Sequence, residues 1–273
     1  MDNKIRDFGI IFANDLPQSE RALKLSEEIA PYIDGIKFGV VSILDKGVSL
    51  ITKVKERINK PIIADFKIAD IGFWNRNKKT WEGTNSKIVE KLAEAGADYI
   101  VCHAVEGPLS LQECIEVAHL KGAKILVLPF MTSIGAELFF AHPIDKDYVN
   151  HIIEELGIKI QKERLRECKI IFDLILILAE FFGADGYVCP ANNPMILRRA
   201  RYFTDKPIFG PGIGRQAKGD VTFAEQIKTF YEICGRSSAI IIGSSIYAAA
   251  NPIESAKGFA RLRDEVILNL RIL

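Results

Sequence analysis

Short apolar runs rich in β-branched residues alternate along the chain with segments whose apolar positions recur every three or four residues. The runs at 8–13, 35–40, 61–66, 97–102, 123–128, 184–189, 207–209 and 239–242 predict strands. Several are apolar at nearly every position, as strands of a parallel sheet covered on both faces must be. The amphipathic segments at 19–30, 48–58, 85–95, 109–121, 146–182 (broken), 193–202, 222–234 and 253–270 predict helices. Pro17 stands just before a helix start, and Gly96, Gly122, Gly183 and Gly235 stand where helices end. Eight strands alternating with eight helical segments predict a single (β/α)8 TIM barrel across residues 1–273. A doubly wound sheet ranks second, because the turn after the first strand, Asn14-Asp-Leu-Pro-Gln18, has none of the glycines of a dinucleotide fingerprint.

Two segments exceed what a barrel requires. Residues 72–83 (GFWNRNKKTWEG) intrude after the third strand as a polar, aromatic and basic loop, in which Trp74 and Trp81 are expected to act as anchors. Residues 145–180 hold more helix than one barrel unit uses.

Nearly half of the 273 residues, 48%, are hydrophobic, which suffices for a large core, and the net charge is +1. Mixed charges of both signs argue against nucleic acid or an anionic membrane as partner. The five cysteines show no paired spacing and no metal-ligand clustering, so reduced thiols in a cytoplasmic protein and no metal are expected. The N-terminal stretch lacks the pattern of a signal peptide, and the apolar run at 170–182, interrupted by Asp173 and Glu180, is too short for a membrane span.

Function in a barrel collects at the C-terminal ends of the strands. There the chain places Asp15, Lys37, Asp65 and Lys67 after or within its first three strands. Period-two alternation predicts that Asp65 and Lys67 share the inward face and Phe66 does not. Such a pair could be a solvated strand-end ion pair, but four alternating charges at one mouth are costly unless they form a network, and such networks mark sites. His103 after the fourth strand is expected to be a hydrogen-bonded core residue. Glycine-rich turns follow strands seven and eight, Gly210-Pro-Gly-Ile-Gly214 and Ile242-Gly-Ser-Ser245, where barrels hold phosphate through loop amides.

These residues resemble the orotidine 5′-phosphate decarboxylase family, in particular its shorter archaeal-type members. The resemblance runs most of the chain in order: Asp15, Lys37 in GIKFG, the D-x-K-x-x-D motif of Asp65, Lys67 and Asp70, Ser133 in MTSIGAELF, PGIGRQAKGD, and IIIGSSIYAAANP. It implies decarboxylation of orotidine 5′-phosphate to uridine 5′-phosphate in pyrimidine synthesis, with no cofactor, by a homodimer with shared active sites. Lys67, Asp65, Lys37 and the partner's copy of the Asp70 position would form the charge network, with Thr84 also crossing the interface. Asp15 and Lys37 would hold the ribose, Ser133 the pyrimidine, and Pro211, Gly214, Gln216, Gly243 and Ser244 the phosphate end. Where the family usually has a phosphate-gripping arginine after the strand-eight glycine this chain has Ser244, so Arg215 either replaces that cation or is a solvated loop residue. Gly72 replaces the family's usual proline, and the 72–83 segment separates Asp70 from Thr84, which places the role of Thr84 in question. Two other readings are a magnesium-dependent sugar-phosphate lyase of the same superfamily and an inert barrel that only binds. Lys37 stands against the first, since an ammonium would occupy the metal's place; the buried charges stand against the second.

Overall fold

The computed structural model describes residues 5–213 and 221–270. Eight strands close a parallel barrel: β1 (Gly9–Asn14), β2 (Gly35–Gly39), β3 (Ile62–Ile68), β4 (Tyr99–Cys102), β5 (Lys124–Val127), β6 (Gly186–Val188), β7 (Ile208–Pro211) and β8 (Ala239–Ile242), each paired with its neighbours in sequence and β8 with β1. All eight lie within the apolar runs of the sequence or overrun them by one or two residues. The alternation of each strand serves two cores at once. Ile11, Ile63, Val101, Leu126, Phe209 and Ile241 fill the inside of the barrel. Ile10, Phe12, Ile36, Phe38, Ile62 and Ile100 point outward beneath the helices. With both faces covered, no strand position on these runs tolerates a charge unless it is paired.

The surrounding helices include Ser19–Ile29, Ser49–Arg57, Thr84–Glu94, Pro108–Leu120, Pro194–Phe203, Phe223–Cys234 and Pro252–Leu270. Between β5 and β6 the chain makes three longer helices, Lys146–Glu155, Lys162–Glu167 and Ile171–Phe182, after the short turn Glu137–Phe140. Asp173, fully buried, starts the last of them: it accepts the N–H groups of Lys169 and Ile170 and the fork of Arg199, with both Arg199 contacts at 2.6 Å. That bidentate geometry is what permits a carboxylate at zero exposure. Gly183 ends the helix at φ 90°, a backbone conformation in which any other residue is strained. Among the described residues no helix is long and apolar enough to cross a membrane. All five cysteines are buried free thiols.

Residues 72–83 are not a loop, as the polar sequence suggested. They form a two-stranded antiparallel hairpin, Trp74–Asn75 against Thr80–Trp81, with the two tryptophan rings packed edge to face at 5.0 Å. Its strands are two residues long, too short for any period to register in the sequence, and the turn is built by Asn75, whose side chain accepts from Asn77 and Lys78.

Candidate active site

The register of the first three strands sets the charges at one level. Ala13 pairs with Lys37, Lys37 with Ile63 and Gly39 with Asp65, so Lys37 and Asp65 lie on the inward face, one step apart along the barrel. Lys37 Nζ donates to Asp65 Oδ2 at 2.6 Å, and Lys67 Nζ donates to Asp65 Oδ1 at 2.8 Å. Lys37 and Asp65 are buried, whereas the Lys67 side chain is 40% exposed toward the cavity. Burial alone would raise the Asp65 pKa; the two ammoniums beside it outweigh burial and hold it below the ordinary carboxylate value.

Lys67 does not reach this position by regular alternation. Between Ala64 and Ile68 the pairing of β3 with β4 shifts, four residues of β3 spanning two of β4, and Lys67 takes a left-handed backbone conformation at φ 49°. A bulge of this kind re-aims a side chain and costs backbone strain, which a network on both sides of Asp65 can hold in place. Period-two counting put Lys67 in the right cavity for an incomplete reason.

The charges open into a cavity of about 350 Å³ at the C-terminal end of the barrel, bounded by Asp15, Lys37, Asp65 and Lys67 on one side and by Pro211, Gly243 and Ser244 on the other. Gly39 lies against this wall: a Cβ on it would stand 2.9 Å from Asp15 Oδ1, so any side chain there would displace the Asp15 carboxylate. Phe130, Met131, Thr132 and Tyr247 also line the cavity; sequence reasoning passed over them because none carries a charge or sits in a glycine turn. Ser133 is exposed and lines an adjoining cavity of about 470 Å³, which shares Phe130, Met131 and Thr132 with the first and adds Asn193 and Arg198. Gly214, Arg215 and Gln216 lie outside the described residues. A larger cavity of about 700 Å³ lies apart from the charges, lined by apolar residues such as Phe139, Ile153 and Leu174.

Asp70 is separate from the network. Its carboxylate is exposed, accepts only the N–H of Ile71 at 2.6 Å, and has no ion-pair partner among the described residues. Its backbone is fixed instead: buried Asn85 accepts the Asp70 N–H at 3.0 Å and donates to the Asp70 carbonyl at 2.8 Å. Thr84, exposed, is the residue before Asn85. The 72–83 hairpin therefore closes on itself, and the two positions it separates in sequence remain adjacent in space.

His103 is not the satisfied core residue expected of it. Its ring stacks on Phe140 at 6.0 Å and 8°, and its buried Nδ1 has no hydrogen-bond partner among the described residues. Burial, reinforced by the Lys67 charge, lowers its pKa below the usual imidazole range.

The sequence is similar to proteins of known kind. The model of the orotidine 5′-phosphate decarboxylase / HUMPS family matches residues 9–259. The orotidine 5′-phosphate decarboxylase of Methanosarcina acetivorans is 30% identical over 268 residues, covering 97% of this chain and 98% of its own length. That of Methanosphaera stadtmanae is 31% identical, covering 89% of this chain and 91% of its own. Among solved structures, the Methanocaldococcus jannaschii orotidine 5′-monophosphate decarboxylase complexed with the inhibitor BMP superposes with a TM-score of 0.72 at 26% identity, covering 94% of this chain and 98% of that one. The Pyrococcus horikoshii enzyme gives 0.67 at 28% identity, with the same shares covered. With a closed eight-stranded parallel barrel and a family match over nearly its whole length, the chain belongs to the orotidine 5′-phosphate decarboxylase / HUMPS family.

Proposed function

We propose that the chain decarboxylates orotidine 5′-phosphate to uridine 5′-phosphate, the closing step of pyrimidine nucleotide synthesis, without a cofactor and in the cytoplasm. The observation that carries this reading is the Lys37–Asp65–Lys67 chain of hydrogen bonds at the barrel mouth, in a protein whose full-length relatives bear that enzyme's name.

The chemistry follows from the residue types. Loss of carbon dioxide leaves an electron pair on the ring carbon that bore it. The Lys67 ammonium, fixed by Asp65 yet facing the cavity, stabilises that developing charge and delivers the proton that replaces the carboxylate. Asp65, held ionised, faces the substrate carboxylate and repels it in the ground state more than in the transition state. Asp15 and Lys37 hold the ribose hydroxyls, and the 131–133 segment holds the pyrimidine edge, through Ser133. Pro211, Gly243 and Ser244 bound the phosphate end, and the PGIGRQ motif assigns Gly214, Arg215 and Gln216 to the same phosphate. Arg215 supplies the cation that Ser244 does not. Phosphate contacts remote from the reacting carbon contribute orientation.

The working unit is a homodimer in which Asp70 and Thr84 complete the partner's site. Two observations support this. The Asp70 backbone is held on both sides by Asn85, and its carboxylate has no ion-pair partner among the described residues. Exposed apolar side chains also gather on four consecutive loops of the same barrel end: Leu44 after β2, Ile71 and Phe73 after β3, Val105 after β4, Leu138 and Phe139 after β5. A patch of that extent marks an interaction surface.

The family model also spans magnesium-dependent sugar-phosphate lyases. Lys37 Nζ at 2.6 Å from Asp65 disfavours them, because it takes the position and the charge that a divalent cation would supply there. Conversion of orotidine 5′-phosphate, followed by its absorbance change, should proceed undiminished in excess EDTA and fall on the order of 10³-fold or more in Lys67→Ala. Wild-type protein that fails to turn over this nucleotide, or a Lys67→Ala variant as active as wild type, would sink the reading. For Arg215→Ala, KM for the nucleotide should rise far more than for the unphosphorylated nucleoside; equal small changes would return Arg215 to the status of a solvated residue.

A further inference from the structure

The hairpin of residues 72–83 is tied down at its root by one side chain from a different part of the fold. Glu113, on the helix Pro108–Leu120, is fully buried, and its carboxyl group reaches the two strands' entry and exit together. Oε2 accepts the Phe73 N–H at 2.9 Å, where the chain enters the hairpin, and Oε1 accepts the Ser86 N–H at 3.0 Å, just after it leaves. Ser110, one turn earlier on the same helix, accepts the Gly72 N–H at 2.8 Å. The root is packed so closely that the glycines on either side of it cannot carry side chains. A Cβ on Gly83 would lie 2.5 Å from Glu113 Oε2 and 2.6 Å from the Ile71 carbonyl, and one on Gly72 would lie 2.7 Å from Ser110 Cα. This accounts for glycine rather than a bulkier residue at position 72.

The clamp ends where the Asn85 grip on Asp70 begins. Residues 70, 71, 72 and 73 are hydrogen-bonded in turn to Asn85, the Asp70 side chain, Ser110 and Glu113. An exposed carboxylate at a chain turn has no packing of its own to fix it, so its position is inherited from the backbone on either side. We propose that Glu113 is a positioning residue for the reaction: by holding the two roots of the 72–83 hairpin together it fixes the Asp70 carboxylate within one residue of Thr84. The inference rests on the decarboxylase reading and on the role given there to Asp70; Glu113 itself touches no substrate.

The test is a mutant cycle between Glu113→Gln and Asp70→Asn in the full-length protein, with kcat, KM and melting temperature measured for each. A carboxamide presents an NH2 group to one of the two backbone N–H donors, so Glu113→Gln removes one arm of the clamp with little change of volume. Displacing a catalytic group by about 1 Å costs roughly 10²-fold, so kcat should fall about 10- to 100-fold in Glu113→Gln. Added to Asp70→Asn, the same change should cost less than about threefold further, because the group it positions is already disabled.

A purely structural role predicts otherwise: a lower melting temperature with kcat unchanged, or losses that multiply in the double variant. Either result overturns the proposal. If Glu113→Gln does not accumulate folded, Ser110→Ala reads the same root, and a kcat loss that disappears in the Asp70→Asn background supports the proposal while an unchanged kcat overturns it. Wild-type protein without decarboxylase activity is a distinct failure, which would remove the activity reading and this inference together.

Discussion

Two buried carboxylates, Asp65 at the barrel mouth and Glu113 at the hairpin root, are both satisfied by two donors, and the donors differ in kind. Asp65 receives two ammoniums, Glu113 two backbone amides. An ammonium is a mobile charge on a four-carbon stem that can turn from its carboxylate toward a ligand; a backbone N–H cannot turn without the chain. The first arrangement can do chemistry, and the second can only hold shape. A third carboxylate supplies the limiting case: Glu106, in the turn after β4, has both oxygens buried with no partner among the described residues, and burial pushes its pKa up to about 7. Donor type thus separates three buried carboxylates by what each can do.

The largest effect should come from Asp65→Asn. It removes the carboxylate that Lys37 and Lys67 share, leaving two like charges without that common partner. Activity should fall on the order of 10³-fold, and stability at neutral pH by about 3 kcal/mol. The pH dependence has a definite sign. The folded-state pKa of Asp65 lies below its ordinary value of 3.8, so its contribution is present above that value and lost as pH falls through the lower folded pKa. Denaturant titrations should therefore show the full gap between wild type and variant above about pH 4 and a closing gap in stronger acid; a gap that does not close in acid would contradict the role given to the two ammoniums.

Gly83→Ala probes the opposite kind of site. With a Cβ 2.5 Å from the Glu113 carboxylate and 2.6 Å from a backbone carbonyl, the root must open. A destabilisation of about 1–3 kcal/mol is expected from overpacking, together with a loss of kcat that parallels the Glu113 variant. Thermal melting and turnover on the same preparation check it. Retention of both would mean that the hairpin root is not the rigid element described.

Most of the barrel was legible in the sequence because its physics is periodic. Strands buried on both faces read as unbroken apolar runs, and all eight appear where those runs fall. The charge network was legible for a related reason, since Lys37 and Asp65 interrupt such runs and a buried interruption demands a partner. What could not be read is aperiodic or long-range. The bulge that turns Lys67 inward depends on pairing between β3 and β4. The hairpin has two-residue strands below any period. Glu113, on the helix Pro108–Leu120, looks in sequence like an ordinary solvent-facing acid until the fold brings Phe73 and Ser86, 40 and 27 residues away, onto its two oxygens. Glycines 72 and 83, which bound that segment in the sequence, were the available signal: each is a clearance for the Glu113 carboxylate or its helix.

Glu106→Gln tests the carboxylate that has no hydrogen-bond partner among the described residues. A raised folded pKa means that the acid is favoured in its neutral form: its contribution is fully present below the ordinary 4.5 and is lost as pH rises through about 7. A neutral amide escapes the cost of ionising there, so the variant should gain on wild type at pH 8 by about 1–2 kcal/mol, a figure reduced for the partial exposure of the residue. At pH 5 the gain should vanish or reverse. Melting temperatures at the two pH values decide it, and a difference that does not change with pH would mean that Glu106 finds a partner in the working assembly.

The smallest effect should come from Trp81→Phe, and it tests how the far side of the hairpin is held. Trp81 Nε1 donates to Glu116 at 2.7 Å, and Gln112 donates to the other oxygen of the same carboxylate. Glu116 thus repeats one turn later what Glu113 does at the root, but with side-chain donors and in partial exposure. Phenylalanine keeps the edge-to-face contact with Trp74 and removes the one N–H, so the loss should be about 1 kcal/mol or less. Because Glu113 still grips the root, kcat should remain within a factor of two of wild type. A fall in kcat as large as that of Glu113→Gln would show that the hairpin body, and not its root alone, sets the position of Asp70.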